Sequence, residues 1–151
     1  MSTYLSPPSL EKWLKVGELS YERKMYNQAA YCFGRALKLS TDPAIMSRRA
    51  AAFEKAGEFR KAIATYRRLL RAANSPEWAK QYAKLRYRRG EYSLCRDILT
   101  GQKDFILDSS LVNLTCQTYL KEKVYDKAAE LLEEHLRARE EVVGEAEELP
   151  V

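Results

Sequence analysis

An interval constrains this 151-residue chain more than any composition value does. In YNQAAYCFGRAL, residues 26–37, Ala29 and Ala36 lie seven apart with Phe33 between them. At 3.6 residues per turn the three share one helical face, a small–large–small stripe that lets a second helix approach closely. The pattern then returns every 33 residues. Ala29 recurs as Ala62, Cys95 and Ala128; Tyr26 as Phe59, Tyr92 and Tyr125; Phe33 as Tyr66, Leu99 and Leu132. The helix ahead of it keeps step, with small residues at Gly17, Ala50, Ala83 and Cys116. Four copies in register predict a helical repeat array.

Punctuation agrees with the interval. Ser9 is placed to cap a helix over residues 10–23, and a second helix runs over 26–40. Asp42-Pro43 and Ser75-Pro76 sit 33 residues apart. Each joins a capping side chain to a proline at the first helical position, where the missing N–H costs nothing. Gly57 and Gly90 occupy equivalent turns, where a helix end calls for a left-handed residue. The third pair is shorter, stopping near Thr100-Gly101, and Phe105, Ile106 and Leu107 are expected to tuck back onto it. Asp108 or Ser109 starts the last pair, whose second helix is expected over residues 124–139. This gives a flexible leader over 1–9, repeats at about 10–42, 43–75, 76–108 and 109–140, and an acidic, disordered tail over 141–151.

Composition excludes much. No apolar run approaches the roughly 18–20 residues needed to span a bilayer, and the N-terminus lacks a secretory signal. Three cysteines without motif spacing read as small hydrophobes in a reduced intracellular compartment. The single histidine, His135, sits with Glu133 and Glu134 on a charged helix as a surface side chain without metal-ligand spacing. The glycines are too scattered to form a phosphate loop. The expectation is therefore no enzyme, no metal, no cofactor and no small-molecule substrate. Charge is uneven: residues 41–103 hold 15 basic and 6 acidic groups, and residues 104–151 hold 5 and 12. Such asymmetry suits two partner surfaces.

Paired helices at this interval resemble the tetratricopeptide repeat, with Trp13, Gly17, Ala29, Phe33 and Ala36 at matching spacings in the first copy. Ankyrin repeats share the period, but no T-P-L-H-x-A element occurs. The resemblance implies an all-α fold, a right-handed superhelical solenoid of about four helix pairs whose first helices line a concave face. On that face Lys80, Lys84, Tyr87 and Arg88 would project from one helix. Ser47, Arg48 and Ala51 would precede them, and Asn113, Gln117 and Lys121 would follow. We take Arg48, Lys80, Lys84, Tyr87, Arg88, Asn113, Gln117 and Lys121 as candidate partner-binding residues for an acidic or extended segment. Glu11 and Glu18 stand where a co-chaperone carboxylate clamp would want Lys and Asn.

Two stretches, GELSYERKMYNQAAYCFGRALKLSTDP (17–43) and RRAAAFEKAGEFRKAIATYRRLL (48–70), are similar to the tetratricopeptide subunit of transcription factor TFIIIC. VNLTCQTYLKEKVYDKAAELL (112–132) resembles its later repeats. That resemblance implies a nuclear, non-enzymatic scaffold for RNA polymerase III transcription, with TFIIIB subunits and other TFIIIC subunits as partners and no membrane. DNA contact would be at most indirect or non-specific. The alternative is a generic adaptor or co-chaperone binding a linear peptide, and a third reading lets the basic middle bind nucleic acid directly.

Overall fold

Short polar side chains open the first helix of each pair. The Ser9 hydroxyl accepts from the backbone N–H of Lys12 at 3.3 Å and starts α1 (Leu10–Glu22). Asp42 accepts from Ala44 N–H at 2.9 Å, with Pro43 as the first residue of α3 (Pro43–Lys55). Ser75 accepts from Trp78 N–H at 3.5 Å ahead of Pro76 and α5 (Pro76–Arg88). Asp108 accepts from the N–H groups of Ser110 and Leu111, at 3.0 and 3.2 Å, at the start of α7 (Ser109–Lys121). The intervening helices are α2 (Tyr26–Ala36), α4 (Phe59–Ala72), α6 (Tyr92–Thr100) and α8 (Tyr125–Glu148). The computed structural model describes residues 7–148, and no strand occurs among them.

The turn after the first helix of each pair is one motif used four times. Lys24, Gly57, Gly90 and Lys123 have φ of 64°, 79°, 75° and 61°, and they are spaced by the same 33 residues. The following amides, of Met25, Glu58, Glu91 and Val124, bond the carbonyls of Ser20, Phe53, Arg86 and Tyr119 at 2.8–2.9 Å. This is the Schellman arrangement, with the left-handed residue just past the helix end.

The helices fall into two units. The first (Met1–Asn74) holds α1 to α4 and the second (Ser75–Val151) holds α5 to α8. In the first, Ala29, Ala30, Phe33, Ala36, Ile45 and Ala52 form the buried cluster, with Trp13, Leu14 and Phe53 packed against it. A Cβ placed on Gly17 would lie 2.8 Å from the Phe33 ring, so the stripe read in the sequence is a close approach of α1 to α2. In the second unit Ala83, Cys95, Leu99, Leu111 and Leu114 take the same part, and Phe105 packs against them from a 3-10 turn, Phe105–Leu107.

The structure departs from expectation in two places. α2 ends at Ala36, and the chain to Ser40 closes in turns rather than continuing as helix. α8 runs on through the acidic segment to Glu148, well past residue 139, so the stretch expected to be disordered is helical that far. The cause is composition: REEVVGEAEE is rich in good helix formers and holds no proline. Of the expected flexible leader and tail, residues 1–6 and 149–151 lie outside the described residues.

Candidate protein-interaction site

Seven of the eight candidate residues belong to the second unit. Ala79, Tyr82, Ala83, Leu85 and Arg86 face inward on α5, which leaves Lys84 and Arg88 exposed one turn apart and Lys80 half-buried. On α7, Leu111, Val112, Leu114, Thr115, Cys116 and Thr118 are buried, which turns Asn113, Gln117 and Lys121 outward at i, i+4, i+8. One bond joins the two stripes: Lys80 Nζ donates to Ser110 Oγ at 3.1 Å. Ser110 in turn donates to Asp108 at 2.7 Å. That hydroxyl bond, helped by the Leu111 and Ser110 amides and the nearby Lys80 ammonium, holds the Asp108 carboxyl below its ordinary range. The α5 and α7 stripes thus carry cations and amides of the kind that bind carboxylates and extended backbone.

Tyr87 has a different role. It is half-buried, packs against the Ala83–Leu99–Leu111 cluster, and meets the Tyr92 ring edge-on with centroids 5.4 Å apart. Its side chain serves the core of the second unit. Arg48, in the first unit, is exposed and paired with Glu18 across α3 and α1. Its neighbour Ser47, expected beside it on the same face, is buried.

His135 also differs from its expected surface placement. It is buried at 8% exposure; Nδ1 bonds the carbonyl of Ile106, and Nε2 meets Ser109 Oγ at 3.2 Å. Donation from Nδ1 to a carbonyl leaves Nε2 as the acceptor for the Ser109 hydroxyl. Arg139 donates to the same hydroxyl at 3.2 Å. The histidine therefore fastens α8 to the 3-10 turn and the start of α7. Pairing across 29 and 26 residues is invisible to local spacing. Arg96 escaped notice for the same reason: it reaches from α6 to Glu122, to Thr118 at 3.0 Å and over the Tyr119 ring at 4.5 Å. All three cysteines are free and buried, and burial pushes the Cys95 thiol up to about 11. No group of three potential metal ligands occurs among the described residues, and no helix there is long and apolar enough to cross a membrane.

With four equivalent turns, two cores built alike and exposed first-helix stripes in view, likeness to known proteins can be stated. Residues 48–77 match the family model for the tetratricopeptide repeat. The match spans about one repeat of the chain. Over 142 residues it is 25% identical to human General transcription factor 3C polypeptide 3, covering 87% of this chain. The chain spans only 16% of that relative's length. Among solved structures, MamA 41-end from Desulfovibrio magneticus RS-1 is similar at TM-score 0.66 and 13% identity, over 85% of this chain and 74% of that one. The Yersinia enterocolitica chaperone SycD, solved with a peptide of the translocator YopD, is similar at TM-score 0.56 and 16% identity, over 91% and 99%. At such identities the likeness is one of fold. The fold shared here is one of paired helices, each burying one face and exposing the other.

Proposed function

We propose that this chain is a non-enzymatic scaffold module of the assembly platform for RNA polymerase III transcription, acting in the nucleus. The observation that carries the reading is the 25% identity to a TFIIIC subunit along 87% of the chain. Its partners on this reading are TFIIIB subunits and other TFIIIC subunits. Lys84, Arg88, Asn113, Gln117 and Lys121 offer exposed cations and amides to a carboxylate-rich, extended partner segment, and Lys80 ties the two stripes together. Arg48, whose charge is met by Glu18, has a smaller share. A second reading, an adaptor for a linear peptide motif, draws on the fold shared with SycD.

The test is binding of the purified chain to purified TFIIIB subunits at two salt concentrations, beside a tRNA-gene duplex. Saturable binding to the TFIIB-related subunit that persists at higher salt, while any DNA signal fades, is the expected result. Lys84→Glu with Lys121→Glu should weaken that binding at least about ten-fold, because both side chains are exposed and would now repel the acidic segment. The melting temperature should stay within about 2 °C. A melt that falls with the affinity would make these residues structural, and binding to DNA alone would end the scaffold reading.

A further inference from the structure

Arg49 interrupts the repeat in a way the scaffold reading does not use. Its counterparts at the 33-residue interval are Val16, Tyr82 and Thr115, none of them charged. The guanidinium lies against Gly34 of α2, where a Cβ would sit 2.9 Å from Arg49 Cζ, and its own Cζ is 5.1 Å from the Phe53 ring centroid. Its Nε is buried without a hydrogen-bond partner. Arg86, whose Nε is likewise buried and unpartnered, is spoken for through its other nitrogens: it donates to Glu91 at 3.0 Å and to Tyr82 at 3.1 Å.

Around Arg49 is an open cleft of about 260 Å³ formed by Phe53 on α3 and Lys61, Ala64, Thr65 and Arg68 on α4. No carboxylate lines it. Lys61 Nζ stands 5.8 Å from the same Phe53 ring. Three cations therefore converge on one cleft, and both burial and the charge of Arg68 make Arg49 less willing to stay protonated. Like charges gathered this way cost stability unless an anion is held between them. The rest of α4, FRKAIATYRRLLRA, holds no acidic residue to serve.

We infer that this cleft binds a phosphomonoester, presented by a phosphorylated serine or threonine of a protein partner. Three converging cations are better balanced by a phosphoryl group of charge about −2 than by a carboxylate or a phosphodiester, each of charge −1. The Arg49 guanidinium, whose Nε has no partner inside the protein, is of the class that grips tetrahedral oxyanions through its N–H groups. The Phe53 ring carries Arg49 and Lys61, rather than standing open for a base to stack on. Gly34 fixes the position of Arg49, so the glycine is part of the site without touching the ligand.

The experiment is a titration of the full chain followed by the arginine Nε–Hε NMR signals, with that of Arg49 assigned through Arg49→Lys. The probes are O-phosphoserine, O-phosphothreonine, inorganic phosphate, glutamate and a short oligothymidylate. Saturable movement of the Arg49 signal by the phosphoamino acids, at least about ten-fold tighter than by glutamate, is expected. Lys61→Ala and Arg68→Ala, on the exposed face of α4, should each weaken it several-fold without lowering the melt. Gly34→Ala should do the same with every cation present, because only the far end of a flexible side chain stands in the way of the new methyl. An Arg49 signal that ignores phosphate, moves equally with glutamate, or responds to oligothymidylate alone would overturn the inference. None of these outcomes depends on TFIIIB binding, so the two proposals stand or fall separately.

Discussion

At the scale of single residues, three glycines and two lysines show how much a Cβ decides. Gly17 gives Phe33 its place: a methyl there would meet the fully buried ring at 2.8 Å, with the ring unable to retreat. Gly17→Ala should therefore destabilise by about 1–3 kcal/mol in urea unfolding, despite the better helix propensity of alanine. The four left-handed turn residues make the opposite point. Gly57 and Gly90 meet nothing at their Cβ positions, yet their φ values disfavour any side chain. Lys24 and Lys123 bear that cost at the same turn. Lys24→Gly should stabilise the chain by up to about 1 kcal/mol, while Gly90→Ala costs about as much. Equal signs in denaturant melts would refute the equivalence of the turns. The 33-residue spacing of Gly57 and Gly90 announces this turn in the sequence, but the lysines hide its other two copies, because lysine reads as helix surface.

At the scale of elements, the helix starts are legible and their electrostatics only partly so. Asp108 caps α7, and its carboxyl is held low chiefly by the Ser110 hydroxyl. Because the folded-state pKa lies below the unfolded one, the stabilisation is complete above an aspartate pKa of about 4 and is lost as pH falls through the folded value. Asp108→Ala should cost about 1 kcal/mol at neutral pH, with the gap between variant and parent closing in strong acid. A gap that persists there would mean packing rather than charge. The end of α8 is not legible in the sequence, for a physical reason. Acidic, aromatic-free residues are the composition of disorder, yet they are also good helix formers, and a helix already anchored through His135 extends through them at little cost.

At the scale of the whole chain, equivalent repeat positions are not equivalent in energy. Phe33, Tyr66 and Leu99 are 1%, 2% and 0% exposed, whereas Leu132, in the same register on α8, is 42% exposed. Burial, not residue type, sets the penalty for truncation. Leu99→Ala should cost about 2–5 kcal/mol and Leu132→Ala under about half of that, as read from thermal or urea melts of the two variants. Comparable losses would show that Leu132 is covered in solution. Leu136 and Val143 are exposed on the same helix, at 59% and 56%.

The sequence by itself determined the period, the helix pairs, their caps and the small–large stripes, because these depend on contacts within a few residues or within one repeat. It also indicated the α5 and α7 stripes, since a helix buries one face and offers the other. Only the tertiary structure decided that Ser47 is buried, that half-buried Tyr87 packs against the core cluster, and that His135 is a fastening rather than a surface residue. It alone brings Arg49 beside Lys61 and Arg68 with no carboxylate lining their cleft. The physical reason is the same in each case. Periodicity fixes which way a side chain leaves its own helix, but its partners come from other helices, and partners decide whether a charge is neutralised, buried or left waiting for a ligand.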